Sequence, residues 1–165
     1  MMKEMRVAGI TVDPFTNTPI VILKDIEENE ALPIWIGLLE ASSIATVIEN
    51  IQTPRPMTHD LLKNILDRLE AEVVKIEVNN LKDHTFYALL HVKARDEKFT
   101  IDSRPSDAIA IALRTGAPIF VAESVIKKAT KTDFQQKGDK VVTESTDLED
   151  LLEGLSQEDF GNYKM

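Results

Sequence analysis

The chain has 165 residues, 43% hydrophobic and 28% charged, which suits one globular domain with its own core and excludes a collagen-like, low-complexity or wholly disordered chain. Cysteine is absent, so disulfides, thiolate metal sites and cysteine nucleophiles are excluded, and any metal must bind through oxygen or imidazole. The formal net charge of −9 is uneven, because residues 141–165 contain seven acids and one lysine, and the composition does not predict a broad basic surface for nucleic acid.

No export or membrane signal is predicted. The chain begins with charged residues that lead directly into an alternating pattern, unlike a secretory signal. No uncharged apolar run approaches the roughly 18 residues that a membrane-spanning helix needs. We therefore expect a cytoplasmic protein without a membrane partner.

The first half of the chain alternates between strand and helix patterns. Apolar residues alternate over 7–12 and resume after the turn at Asp13-Pro14, which predicts a hairpin. From Ile44 onward, apolar residues follow the i, i+3, i+4, i+7 spacing of an amphipathic helix. Thr58 is a candidate N-cap for a second helix with its own leucine and isoleucine stripe. The predicted elements are strands over 7–12, 20–23 and 32–36 and helices over 38–51 and 58–69.

The second half repeats this succession of strands followed by a helix. Its central helix is apolar all round over 108–113, which predicts burial on most sides, and Thr115-Gly116 ends it. The predicted elements are strands over 73–78, 86–92 and 99–102, a helix over 104–114, a strand over 119–122 and a helix over 123–128.

The predicted order defines the fold class as α+β, with mostly antiparallel sheets covered by helices. It is βββα, a connecting helix, βββα and then βα. A shift of about 65 residues aligns Trp35-Ile36-Gly37 with Thr100-Ile101-Asp102. This alignment indicates either an internal duplication of a βββα unit or two units that share a common order.

The C-terminal part differs in composition from the rest. Residues 129–143 are polar and contain a Lys-Gly-Asp-Lys turn, which predicts a linker. Thr146 and Glu149 form a capping box before leucines at helical spacing, which predicts an acidic amphipathic helix. The chain thus divides into a domain over 1–130 and a linker with an acidic helix over 131–165. That helix either packs on its own domain or acts as a docking arm.

Two short clusters place an Arg-Pro step near a predicted helix start. One runs over 55–60 and the other over 102–107. A helix N-terminus binds anions such as phosphate, and an adjacent arginine can bind the same phosphate with two hydrogen bonds. Carboxylates nearby can bind Mg²⁺ or Mn²⁺, and a histidine can transfer a proton. The candidates are His59, Asp60, Asp102, Asp107 and Glu40 for catalysis, Asp102 and Asp107 also for metal, and Arg55, Arg104 and Ser106 for phosphate.

These residues also have a purely structural interpretation. The serines suit helix caps, Arg104 and Asp107 stand three apart and suit an ion pair, and Glu40 is a favourable first-turn acid. However, Asp107 and Arg114 lie on one stripe of a helix predicted to be buried. Buried charges need partners, and such clusters are candidates for function.

Several segments, taken in order, resemble the bifunctional nuclease domain family. They are LPIWIG at 32–37 with Glu40-Ala41, RP at 55–56 with THD at 58–60, FYA at 86–88, IDSRPSDAI at 101–109 and PIFV at 118–121. The resemblance covers roughly residues 5–130 and is similar to the member from a thermophilic bacterium. Because the family is named after members that degrade both RNA and DNA, it implies a phosphodiesterase.

Two functions stay open at this point. In a metal-assisted nuclease, the carboxylates would bind a divalent cation, His59 would be the general acid or base, and the arginines would stabilise charge on phosphorus. In a non-catalytic module, the same clusters would bind an anionic ligand or join the helices of an assembly. The apolar strands and the tail favour a homodimer. The nuclease hypothesis requires the candidate residues to converge in one open cleft.

Overall fold

The computed structural model describes the backbone of residues 1–136 and the side chains of residues 1–130. The order of elements confirms the predicted α+β class, and the internal duplication stays a prediction. The elements are β1 (Met2–Val12), β2 (Pro19–Asp25), β3 (Ala31–Trp35), α1 (Leu38–Ile48), α2 (Thr58–Arg68), β4 (Ala71–Lys82), β5 (Thr85–Ala94), β6 (Glu97–Ser103), α3 (Pro105–Thr115), β7 (Ile119–Ala122) and α4 (Glu123–Gln136).

The strands form one seven-stranded sheet in the order β3-β2-β1-β7-β4-β5-β6. The short strand β7 lies between two three-stranded meanders, β1–β3 and β4–β6. It pairs antiparallel with β1 and parallel with β4, and the parallel pairing is the exception in an otherwise antiparallel sheet. A parallel neighbour requires a crossover connection, which α3 provides between β6 and β7.

One face of the sheet carries the core. Residues directly opposite one another on paired strands lie on the same face, and Ile119 lies opposite both Met5 and Ile76, all three buried. Helices α1, α3 and α4 bury their apolar residues in the same cluster, so they cover this face. The alternate residues, such as Glu77 and Leu89, lie on the opposite face and are less buried.

Helix α3 is the central helix of this layer, as its apolar sequence predicts. Residues Ala108–Ala112 are at most 2% exposed, and Pro105 occupies the first turn, where its missing N–H costs no hydrogen bond. The helix ends at Gly116, whose φ of 72° is left-handed and whose N–H donates to the carbonyl of Ala112.

Helix α2 lies further from the core than its apolar stripe suggests. It contacts α3 and β4, yet none of its residues is fully buried. The N-cap position belongs to Met57 rather than to the predicted Thr58, because the Asp60 carboxylate accepts a hydrogen bond from the Met57 amide. Two consecutive residues of this first turn, His59 and Asp60, therefore lie beside α3.

Helix α4 is longer than the helix predicted over 123–128. It continues to Gln136 instead of ending near Lys128, because Ala129 is buried and extends the apolar face of Val125 and Ile126. The predicted turn and acidic helix beyond residue 136 lie outside the described residues. Within residues 1–136, no helix is long and apolar enough to cross a membrane.

Candidate active site

Charged and polar side chains from three helices meet on the helix-covered side of the sheet. Helix α3 packs against both α1 and α2, and its residues Arg104, Asp107 and Arg114 provide the central charges. We call the group formed by Glu40, Ser43, His59, Arg104 and Asp107 the interhelical cluster.

The imidazole of His59 is held at both ring nitrogens. Its Nδ1 lies 2.7 Å from the hydroxyl oxygen of Ser43, and its Nε2 lies 2.9 Å from Oδ1 of Asp107. Ser43 is buried on α1, while the His59 side chain is 13% exposed. A hydroxyl can donate or accept, so Ser43 can satisfy Nδ1 whether His59 is neutral or protonated.

Arg104 joins the carboxylates of two helices. Its guanidinium donates to both oxygens of Asp107, at 2.7 and 3.1 Å, and to Oε1 of Glu40 at 2.7 Å. The Glu40 carboxylate folds back over Gly37, where the Cβ of any other residue would overlap it. The Arg104 side chain remains 64% exposed, so it is the part of the cluster that a ligand in solution can reach.

A second, more buried ion pair supports the first. The Nε of Arg114 donates to Oδ1 of Asp60 at 2.6 Å, and its two other nitrogens donate to the carbonyls of Ser43 and Ala110. The Arg114 side chain is only 5% exposed. Ser43 thus contacts His59 through its hydroxyl and Arg114 through its carbonyl, and it ties α1 to both other helices.

A pocket of about 230 Å³ lies beside this second pair. Asp60 and Arg114 form part of its wall, and the rest comes from α1 and the segment that follows it. The remaining lining residues are Thr46, Val47, Asn50, Ile51, Gln52 and Thr53.

The ion pairs shift the protonation equilibria of the cluster. Burial alone would raise the pKa of the Asp107 carboxyl, but hydrogen bonds from Arg104 and His59 outweigh burial and lower that pKa. The Asp60 pKa is lowered in the same way, against burial, by Arg114 and the Met57 amide. Asp107 and then Glu40 raise the pKa of the Arg104 guanidinium. At neutral pH both aspartates are therefore carboxylates.

The structure brings some of the predicted site residues together and separates others. His59, Arg104, Asp107 and Glu40 are in contact, and Asp60 follows one residue along α2. Ser106 lies buried in the first turn of α3. Within the described residues, neither Arg55 nor Asp102 forms an ion pair with this cluster.

Asp102 lies on the other face of the sheet. In β6, Ser103 is opposite the buried Ala88, whereas Asp102 is opposite Leu89 and so belongs to the face that no helix within residues 1–136 covers. Successive side chains of a strand point to opposite faces of the sheet. The sheet therefore lies between Asp102 and the cluster, although only four residues lie between Asp102 and Asp107 in the sequence. Arg55 is exposed in the segment between α1 and α2.

The sequence did not indicate Ser43 or the contacts of Arg114. Ser43 looks like one of several small residues in α1, and a small side chain in a helix usually signals close packing alone. The only available signal was Arg114 itself, since a charge on a helix predicted to be buried requires a partner. Its partners outside α3, Asp60 and Ser43, lie 54 and 71 residues away, beyond any local pattern.

The cluster as arranged does not fit a divalent cation. Both oxygens of Asp107, Oε1 of Glu40 and Oδ1 of Asp60 already accept hydrogen bonds from Arg104 or Arg114, and those positive charges oppose a bound Mg²⁺ or Mn²⁺. Among the described side chains, those of residues 1–130, no group of three or more His, Asp and Glu could hold a metal ion.

The fold and this cluster define an α+β protein with a histidine–carboxylate pair beside an accessible arginine. A family model for the bifunctional nuclease domain matches residues 21–133. The chain belongs to the bifunctional nuclease domain family, as its motifs predict. The matched region contains every residue of the interhelical cluster.

Its relatives include bacterial and plant proteins. An uncharacterized protein of Mycobacterium tuberculosis is 35% identical over 164 residues, 96% of this chain and 98% of the relative. Bifunctional nuclease 2 of Oryza sativa subsp. japonica is 31% identical over 65% of this chain and 34% of its own length. Bifunctional nuclease 1 of Arabidopsis thaliana is 32% identical over 62% of this chain and 33% of its own length. The chain thus matches about a third of each plant protein.

Proposed function

We propose that this protein hydrolyses phosphodiester bonds in RNA or DNA at the interhelical cluster. The observation that carries the proposal is the placement of His59, held between Ser43 and Asp107 and next to the exposed Arg104. A histidine–carboxylate pair beside a guanidinium supplies a proton carrier and a phosphate-binding group. The plant relatives named bifunctional nucleases support the substrate class.

In this proposal Arg104 binds the phosphate. Its guanidinium matches two phosphate oxygens as well as it matches the carboxylate of Asp107. It stands at the N-cap of α3, where the helix dipole and free N–H groups also favour an anion. A phosphate that takes over the Arg104 hydrogen bonds would leave Asp107 paired with His59 alone.

The His59–Asp107 pair would transfer the proton. A water oxygen attacks phosphorus and gives its proton to Oδ2 of Asp107, the oxygen that Arg104 releases when it binds the phosphate. The bond from phosphorus to the ester oxygen breaks, and that oxygen takes the proton from Asp107. His59 holds Asp107 through Oδ1, and Ser43 fixes the His59 ring. Ser43 is buried, so its role is to position His59 rather than to attack phosphorus.

One observation favours an alternative, a module that binds an anion or joins helices without catalysis. The carboxylates of the cluster are all hydrogen-bonded to arginine, as in a purely structural network. The sequence over 1–140 also carries no excess of positive charge, since it contains 18 basic and 21 acidic residues. Nucleases generally use positive potential to bind their substrate.

Cleavage of labelled single-stranded RNA and DNA by the highly purified full chain distinguishes the two functions. Separate reactions contain Mg²⁺, Mn²⁺ or EDTA, and the reaction with EDTA tests whether cleavage needs a metal ion. We expect His59→Asn and Asp107→Asn to slow cleavage about 10²- to 10⁴-fold. Arg104→Gln should slow it by about 10²-fold or more, since it removes the charge that stabilises the transition state.

The β4–β5 turn supplies matched controls. Asp83 and His84 are exposed there with positive φ values that asparagine tolerates, so Asp83→Asn and His84→Asn should cleave like the wild type. Equal cleavage by every variant would indicate a contaminating nuclease and contradict the proposal. Absence of cleavage, with oligonucleotide binding that Arg104→Gln abolishes, would establish the non-catalytic module.

A further inference from the structure

The two edges of the sheet are protected to different degrees. Strand β3 at one edge contains Pro33, which cannot donate a hydrogen bond to a further strand. Strand β6 at the other edge contains no proline, and six of its seven residues are exposed. Its outer row of backbone N–H and C=O groups faces no other strand within the described residues. An open edge of this kind is a template for pairing with another chain.

The sequence of β6 is self-complementary about Thr100. An antiparallel copy centred on that residue brings Lys98 opposite Asp102 and Phe99 opposite Ile101. The charged pair and the apolar pair then lie on opposite faces of the sheet. Opposite charges and apolar side chains directly across two strands stabilise pairing, whereas like charges in those positions destabilise it.

The side chains of β6 lack partners for both kinds of contact. Within the described residues, neither Lys98 nor Asp102 forms an ion pair. Phe99 and Ile101 are each 43% exposed although they lie opposite the buried Val92 and Leu90 on the core face. They are the outermost members of the apolar face, and no further strand of residues 1–136 lies beside them.

We propose that β6 is a dimer interface, where two copies of this chain pair antiparallel about a two-fold axis at Thr100. The sheets of both copies then form one continuous sheet. Each Lys98 contacts Asp102 of the second copy on the helix-free face, and each Phe99 covers Ile101 of the second copy on the core face. A two-fold axis makes every contact occur twice, so one strand supplies both halves of the interface.

Charge reversal tests this pairing in the full chain. Lys98→Glu brings two carboxylates face to face at both ends, and Asp102→Lys does the same with two amines, so each should weaken the dimer about tenfold or more. The double variant K98E/D102K restores opposite charges and should restore the dimer. An equimolar mixture of the two single variants should form a heterodimer for the same reason. Sedimentation across a range of concentrations measures each dissociation constant.

A single introduced cysteine tests the register. The chain has no native cysteine, so Thr100→Cys can form a disulfide only with a second copy. Residues opposite one another across antiparallel strands have Cα atoms about 4.5–5.5 Å apart, within the range of a disulfide. Glu97→Cys is the control. In this register the two Glu97 positions of a dimer are six residues apart along the paired strands, roughly 20 Å, so this variant should not cross-link.

Three outcomes would overturn the proposal. The wild type could sediment as a monomer at every concentration, in which case Lys98 and Asp102 serve as charges that keep the edge unpaired. A dimer could form that neither single charge reversal weakens, which would place the interface on another surface, such as the exposed apolar side of α2. Cross-linking through Glu97→Cys and not through Thr100→Cys would refute the register. Circular dichroism verifies that each variant is folded.

Discussion

The two arginines of α3 differ in exposure, and that difference separates their roles. Arg114 is almost fully buried and uses all its nitrogens for Asp60 and for two helix carbonyls. Removing the Asp60 carboxylate leaves the buried Arg114 charge without its ion-pair partner, which destabilises the packing of α2 on α3. Arg104 is mostly exposed, and a surface pair of that kind contributes about 1 kcal/mol or less. Arg114 therefore holds the helices together, whereas Arg104 can exchange its carboxylates for a ligand at little cost.

The lowered pKa values of Asp60 and Asp107 predict loss of stability in acid. A carboxyl whose pKa is lower in the folded state than in the unfolded state stabilises the fold. That stabilisation is complete when the pH is above the pKa of the unfolded state, which is about 3.9 for aspartate. That contribution is lost as pH falls from there through the folded value. We expect the free energy of unfolding, measured by urea titration, to decline below about pH 4. Asp60→Asn and Asp107→Asn should each flatten this decline by about 1 kcal/mol.

Asp83→Asn is the control for this acid dependence, because Asp83 lies in an exposed turn and forms no ion pair within the described residues. It should retain the wild-type slope between neutral pH and acid. An acid slope that is unchanged in both Asp60→Asn and Asp107→Asn would contradict the assignment of these two carboxyls.

At the scale of elements, the end of α3 depends on one backbone conformation. Gly116 has a φ of 72°, and an added Cβ would meet no neighbouring atom within 4 Å. A substitution there costs only the intrinsic strain of a left-handed L residue, so Gly116→Ala should lower the free energy of unfolding by about 1 kcal/mol. Gly116→Asn should cost less, because asparagine tolerates this region. Urea titration measures both, and equal losses in the two variants would indicate a cause other than φ.

Local patterns predicted the elements well but not how deeply each is buried. Alternation and helical spacing identified every strand and helix in order, because those periods are properties of the backbone itself. The same spacing predicted an apolar stripe on α2, yet Leu61 and Leu69 are exposed in the structure. Burial depends on which surface an element meets, and α2 has its main contacts with α3 and β4.

At the scale of the whole molecule, the site depends on contacts between residues distant in sequence. His59 meets Asp107 across 48 residues, and Arg104 meets Glu40 across 64. The helix-start motifs indicated His59, Arg104 and Asp107 through their chemistry, whereas the separation of Asp102 from these three residues follows from the register of β6. The sequence therefore identified the charged residues that are candidates for the cluster, whereas the sheet determined which of them lie on the same face of the sheet.

The charge distribution of the whole chain predicts weak dependence of nucleic-acid binding on salt. Each phosphate neutralised on a single strand contributes about −0.7 to the slope of log K against log salt. With Arg104 as the exposed cation of the cluster in a nearly neutral body, we expect a slope no steeper than about −2. Fluorescence anisotropy of labelled single-stranded RNA bound to the His59→Asn variant measures this slope without cleavage.

Adding Arg104→Gln to that variant should make the slope shallower by about 0.7, whereas adding Arg68→Gln, at the far end of α2, should leave the slope unchanged. A steep slope that Arg104→Gln does not alter would place nucleic-acid binding on a different surface of the molecule.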